Sequence, residues 1–344
     1  MFTIASIIAA AANRGRLVPT GQLGQPGHLQ TSYRNSGVLL EMVKSVVPSL
    51  SFGAHKGDCG RIGIVGGCQE YTGAPYFAAI SALKLGADLS HVFCAKEAAP
   101  VIKSYSPELI VHPMLESKDC PAEVSQWLPR VHSLVVGPGL GRTDLILDNT
   151  RNIIEQAKER SLPLVIDADG LYLITEDPYI ISGYERAILT PNVVEFDRLY
   201  EKVVGEAPMQ SEPVVNVKTL CEKMGNVTIV QKGENDIISD GKKVLVCCNE
   251  GSPRRCGGQG DLLSGTMGTF SFWTHKVCNS TSEVNKESFA CESLQVYGPT
   301  ISAAYAACLL TRECNRRAYS KNRRSMTTSD MIECIRDAFE FLYE

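Results

Sequence analysis

Ser133-Leu134-Val135-Val136-Gly137-Pro138-Gly139-Leu140-Gly141 runs four β-prone residues straight into a glycine-rich turn. An amphipathic stretch over 145–160 follows, then Pro163 and a second apolar run, Leu164-Val165-Ile166. A short buried strand, a turn, a helix and another short buried strand are the parts of a βαβ unit, whose strands must run parallel because the helix carries the chain back. The same alternation recurs on both sides. Upstream, Ile62-Gly63-Ile64-Val65 ends in a glycine turn, Pro75 sits at the first turn of a helix reaching Ala87, and 91–95 is the next strand. Downstream, Ala187-Ile188-Leu189 leads through Thr190-Pro191-Asn192 into a helix, and a helix over 217–224 precedes a strand over 227–231. Residues 236–239 and 243–248 flank Asp240-Gly241, a two-residue turn suited to an antiparallel hairpin. Segments 264–273, 288–310 and 329–343 read as helices, with a polar loop near 276–287 and a basic loop near 316–324. The fold class is α/β: about six strand–helix units form a mostly parallel central sheet with helices on both faces, and a hairpin is appended.

Composition narrows the function. The 344 residues are 44% apolar, enough for one large domain with a substantial core. Lys plus Arg (34) nearly balances Asp plus Glu (38), which disfavours nucleic acid as a partner and leaves a small anionic ligand open. The 13 cysteines show neither CxxC pairs nor zinc-site spacing, and an odd total suits reduced thiols. The 6 histidines form no HExxH, so any metal is expected to arrive with a nucleotide. Residues 1–45 read as a flexible targeting leader and 46–344 as the catalytic domain. Arg14, Arg16 and Arg34 precede the first acid, Glu41, which is the pattern of a mitochondrial presequence, with a cytoplasmic form if the leader is skipped. A secretory signal would place basic residues ahead of the apolar core, and no later apolar run has membrane-spanning length. Homo-oligomerisation is left open.

In such sheets ligands bind beyond the carboxyl ends of the strands. The unusual residues all follow strands, and the sharpest run is Cys256-Gly257-Gly258-Gln259-Gly260-Asp261, continuing as Leu262-Leu263-Ser264-Gly265. Three glycines in four positions let successive N–H groups converge at a helix start, an anion site suited to phosphate. Asp261 there is either a helix cap or a base that accepts an alcohol proton. Gly265 and Gly268 inside the helix point either to a ligand or to close helix packing.

GGQGDLLSG (257–265), with Lys232-Gly233, TPNVVEF (190–196), GGCQEYTGAP (66–75), VVGPGLGR (135–142) and VIDADGL (165–171), resembles the ribokinase-like ATP- or ADP-dependent NAD(P)H-hydrate dehydratases over residues 56–344. The resemblance implies that ATP phosphorylates the C6 hydroxyl of hydrated NADH or NADPH and that phosphate then leaves, with Asp261 as catalytic base and Mg2+ brought by the nucleotide near Asn192 and Glu195. It assigns Gly139, Gly141, Asn192, Val193, Val194, Glu195, Phe196, Asp197, Arg198 and Asp261 to the hydrated dinucleotide. It assigns Lys232, Gly233, Glu234, Asn235 and Asp236, together with Gly251, Ser252, Pro253, Arg254, Arg255, Cys256, Gly257, Gly258, Gln259 and Gly260, to ATP.

Each assignment has a plainer alternative. Apart from the resemblance Lys232 reads as an exposed turn lysine, Arg254 and Arg255 equally as surface charge, and Asn192 with Glu195 as a helix cap. Gly139 and Gly141 also suit a tight turn, Asp167 and Asp169 a structural turn, and Cys256 loop packing, while Tyr71 and Thr72 are placed to close over substrate. A small-molecule kinase acting on a vitamin-precursor alcohol would use the same base and anion site. A silent nucleotide-binding scaffold would not need Asp261.

Overall fold

The computed structural model of the protein describes residues 36–280 and 294–344. Nine strands form one sheet in the order β3-β2-β1-β4-β5-β6-β7-β8-β9. They are β1 (Arg61–Val65), β2 (Leu89–Cys94), β3 (Ile110–Pro113), β4 (Ser133–Val136), β5 (Leu164–Ile166), β6 (Ala187–Leu189), β7 (Thr228–Gln231), β8 (Asp236–Ser239) and β9 (Val244–Cys247). β1 to β7 pair in parallel and β8 and β9 antiparallel, so the appended hairpin is where Asp240-Gly241 places it. Strands such as β4 and β5 are buried at every position, as parallel strands covered on both faces must be.

The helices are α1 (Ser36–Lys44), α2 (Gly73–Leu85), α3 (Ala98–Tyr105), α4 (Cys120–Ser125), α5 (Asp144–Glu159), α6 (Asp169–Glu176), α7 (Val193–Val204), α8 (Pro213–Lys223), α9 (Gln259–Ser280), α10 (Pro299–Asn322), α11 (Thr328–Glu333) and α12 (Ile335–Tyr343). α9 packs between α2 and α10 and lies on β4 and β5. Its glycines are explained by that packing. A side chain on Gly265 would meet the Ala78 carbonyl oxygen at 2.1 Å, and one on Gly268 would meet Val135 Cγ2 at 2.7 Å, so both serve close contact within the protein. Ser133 Oγ donates to the Gly268 carbonyl at 2.7 Å and pins the helix to β4.

Several sequence readings change. Residues 36–44 fall inside the expected leader, yet they form α1, whose Leu39, Met42 and Val43 belong to the hydrophobic core. The folded domain therefore begins before residue 46, while residues 1–35 lie outside the described residues. The predicted basic loop near 316–324 is helical through Asn322, because Arg316 and Arg317 pair with Glu313 three and four residues back. α9 runs on to Ser280 through part of the predicted polar loop; 281–293 lie outside the described residues. The helix predicted over 329–343 is split at Cys334. The strand β3 and the helix α3 went unpredicted. Among the described residues no cysteine is in a disulfide and no helix is long and apolar enough to cross a membrane.

Candidate active site

Strand order reverses between β1 and β4, and the loops at that edge interlock. A side chain on Gly137 would lie 1.7 Å from the Asp167 carbonyl oxygen, so the turn after β4 sits directly on the turn after β5. Gly139 and Gly141 adopt positive φ, of 59° and 78°. The surface they press against is the protein's own first loop: their side chains would lie 2.7 Å from the Tyr71 carbonyl oxygen and 3.1 Å from Cys68 Cβ. Tyr71 is exposed, and Thr72 Oγ1 lies 2.9 Å from the Tyr105 hydroxyl. The two acids of DADGL diverge. Asp169 holds the β4 loop, accepting from Arg142 Nε at 2.8 Å and Gly141 N at 3.1 Å, whereas Asp167 is buried and accepts from Lys232 Nζ at 2.8 Å.

Beside this edge opens a cavity of about 1120 Å³. Its wall gathers Asn192, Val193, Val194 and Glu195 from the start of α7, all five residues 232–236, and Gly251, Ser252, Pro253, Arg255, Cys256, Gly258, Gln259, Gly260 and Asp261. Residues distant in sequence thus converge as the motifs require. Other members of the expected set lie elsewhere. Phe196 is fully buried and packs on Tyr200, because it lies on the core face of α7 with Leu199. Asp197 and Arg198 continue along the helix outside the cavity wall, as do Gly139 and Gly141 on their own loop. Arg254 turns away, its Nε donating to the Met326 carbonyl at 3.4 Å, and the Gly257 carbonyl accepts from Thr328 Oγ1 at 2.6 Å. These two residues anchor the glycine loop from outside. Cys256 packs against Gln259 Nε2 at 3.2 Å and Thr328 while still bordering the cavity.

The electrostatics centre on Asp261, in the first turn of α9. A helix start favours the carboxylate, but burial and then the charge of Asp167 push Asp261 up to about 7, against the opposing pull of Lys232. Burial likewise raises Glu195, with Lys232 opposing. For Lys232 burial acts to lower the ammonium, and Asp167, Glu195 and Asp261 together outweigh it, so it stays charged and above its ordinary range. A side chain on Gly260 would lie 3.5 Å from Lys232 Nζ and 3.6 Å from Asp167 Oδ2, which places the ion pair against the last glycine of the loop. A carboxyl near 7 at the end of a glycine-rich loop is equipped to take a hydroxyl proton at neutral pH.

Asn192 and Glu195 form a reciprocal capping box: Glu195 N donates to Asn192 Oδ1 at 3.0 Å and Asn192 N to Glu195 Oε2 at 2.8 Å. The cap does not remove them from the cavity wall. Among the described residues no group of three His, Cys, Asp or Glu side chains is placed to hold a metal ion. Sequence reasoning missed Arg312. From α10 it donates to Asp236 Oδ2 at 2.7 Å, the Asn249 carbonyl at 3.1 Å and the Gly233 carbonyl at 3.1 Å, stitching the 232–236 loop to the segment that leads into 251–260. Asp236, assigned to ATP, is engaged in that pair.

The model of the NAD(P)H-hydrate dehydratase family matches residues 62–337. A rat (Rattus norvegicus) protein named ATP-dependent (S)-NAD(P)H-hydrate dehydratase is 55% identical over 316 residues, which are 92% of this chain and 89% of the rat protein. Among solved structures, a ribokinase-like superfamily protein from Enterococcus faecalis superposes with a TM-score of 0.70 at 19% identity, covering 89% of this chain and 95% of that one. The ADP/ATP-dependent NAD(P)H-hydrate dehydratase of Bacillus subtilis, co-crystallised with ATP and Mg2+, superposes with a TM-score of 0.64 at 18% identity, covering 88% and 97%. The fold is ribokinase-like, and the chain belongs to the NAD(P)H-hydrate dehydratase family.

Proposed function

We propose that the protein uses ATP to dehydrate (S)-NADHX and (S)-NADPHX, the C6-hydrated forms of NADH and NADPH, returning the reduced dinucleotides. The observation that carries this is Asp261, raised to about 7, set at the start of α9 directly after the glycine loop and beside Lys232. The rat relative's name supports the donor and the substrate class.

Hydroxide is a poor leaving group, so the C6 oxygen must first be esterified. Asp261 accepts the hydroxyl proton as that oxygen attacks the terminal phosphorus, and the bond from phosphorus to the ADP oxygen breaks. The amides of 258–260 and Lys232 stabilise the charge on the transferring group. The C6–O bond then breaks with its electron pair going to phosphate while the ring nitrogen lone pair forms N=C6. Loss of a proton from C5 restores the dihydronicotinamide. The site fits Mg2+ as an ion carried on the nucleotide, because the Glu195 carboxyl borders the same cavity as the glycine loop and Lys232. Bound there, Mg2+ would neutralise phosphate charge. The arginine-bearing stretch 1–34 supports mitochondrial import with a cytoplasmic form when it is skipped; a reporter fused behind residues 1–45 that stays cytoplasmic would refute import.

The test follows the near-ultraviolet absorbance of the dihydronicotinamide ring in purified protein with hydrated NADH and Mg2+, adding ATP, ADP or no nucleotide. An ATP-dependent rise is expected. Accumulation of a free phosphorylated product without that rise would identify a simple kinase instead.

A further inference from the structure

We infer that Asp167 is a positioning residue of the reaction, holding Lys232 against the last glycine of the anion loop and presenting a second carboxylate to Asp261. This rests on the proposed chemistry, in which Asp261 accepts the hydroxyl proton.

The placement of Asp167 is over-determined by its own backbone. Its N–H donates to the Val136 carbonyl at 3.0 Å, its carbonyl accepts from Gly170 N at 2.9 Å, and Gly137 can only be glycine because that carbonyl occupies the space of a side chain. The next residue, Ala168, is held at φ 48° and ψ −122°, a conformation that L side chains rarely adopt, and it lines the cavity. Strain of this kind persists where surrounding structure enforces it and clusters at functional sites. The turn commits a nearly inaccessible carboxylate, 2% exposed, to Lys232 Nζ at 2.8 Å with Gly260 alongside.

A purely structural acid in this turn would resemble Asp169, which ties down Arg142 and the Gly141 amide. Asp167 differs because its partner is the ammonium of the site and its Oδ2 lies against Gly260, the residue directly before Asp261. The charged groups acting on Asp261 are Asp167, from the turn after β5, and Lys232, from the loop after β7; Glu195, from α7, acts on Lys232. Asp167 therefore does two things at once. It fixes where Lys232 meets the transferring phosphoryl group, and it keeps Asp261 basic enough to accept a proton while Lys232 is close by.

The test is the pH profile of turnover in Asp167→Asn and Lys232→Met, with Asp169→Asn as comparator. Asp167→Asn removes a negative charge and leaves Lys232 uncompensated, so both changes lower the proton affinity of Asp261. The acidic limb of kcat should move down by about one pH unit or more, with a lower plateau and little change in the KM for the hydrated dinucleotide. Lys232→Met leaves the DADGL backbone untouched and should move the limb up, while Asp169→Asn should leave it in place. The same displacements are read without turnover from the carboxyl carbon signals of isotope-labelled aspartate, with Asp261 identified by its loss in Asp261→Asn. If wild-type protein forms no NADH but its Asp261 signal shifts in opposite directions in the two variants, the positioning stands and the reaction assignment falls. An Asp261 titration that stays put in both variants overturns the positioning role, whatever the activity.

Discussion

Two regions of the sheet bury titratable groups, and they do opposite things with them. At one side of the sheet, His91 of β2 and His112 of the edge strand β3 stack with ring centroids 5.3 Å apart, join Nδ1 to Nε2 at 3.0 Å, and are closed in by Phe93 and Trp127. Burial lowers both imidazoles, His112 to about 4. At the carboxyl edge of β5 to β7, Asp261 is raised to about 7 by burial and a neighbouring carboxylate. A displaced pKa is common to both; what separates them is access. The histidine pair is sealed within stacked rings, whereas Asp261 borders a cavity with an anion loop and an ammonium in reach, and only that arrangement can do chemistry on a ligand.

The largest effect expected from this contrast is at Asp261. Asp261→Asn keeps the shape and the glycine loop but removes the base, and kcat should fall on the order of 10³-fold with nucleotide affinity retained, as calorimetric titration would show. Near-normal turnover would make the site no different from the histidine pair. Arg312→Ala comes next. It leaves Asp236 buried without its partner and frees the two loops from each other, so chemical denaturation should report a loss of about 3–5 kcal/mol, with weakened ATP binding in the fraction that folds. An unchanged midpoint and ATP affinity would show that the cavity wall needs no such stitch.

The smallest effect lies at the sealed pair. The folded state holds His91 and His112 below their unfolded values, so the unfolded chain binds protons first as the solution is acidified. The stability of the neutral pair is complete above a pH of about 6.5 and is lost progressively as pH falls toward the folded value of His112. His112→Phe should cost about 1 kcal/mol at neutral pH through the lost hydrogen bond, and should make the decline in melting temperature on acidification shallower. It should not flatten it, because burial also lowers His132 and His275. Turnover at neutral pH should not change. An unaltered slope would mean that His112 takes up its proton in the folded state as readily as in the unfolded chain.

Much of this was legible in the sequence because its signals are local. The βαβ alternation, the hairpin at Asp240-Gly241 and the convergence of Lys232, Asn192 and Asp261 all follow from strands that end in marked residues at one sheet edge. The burial of Phe196 was readable from its period: Phe196, Leu199 and Tyr200 recur at helical spacing and face the core, leaving Asn192 to Glu195 for the cavity. Arg312 was not readable, since its partners Asp236 and Asn249 lie 76 and 63 residues away and its own surroundings look like a charged loop. β3 escaped because its four residues include a histidine and a proline at an edge, where pattern is weakest. The separate duties of Asp167 and Asp169 also had to come from the structure, because two acids one residue apart look equivalent until their partners are known.

The central claim is that the C6 oxygen leaves as part of phosphate after Asp261 has taken its proton. Its most direct test gives the enzyme ATP and a substrate whose C6 hydroxyl carries an oxygen isotope label, and then finds where the label goes. The account predicts labelled inorganic phosphate in step with NADH formation; label recovered in water, with unlabelled phosphate, would contradict it.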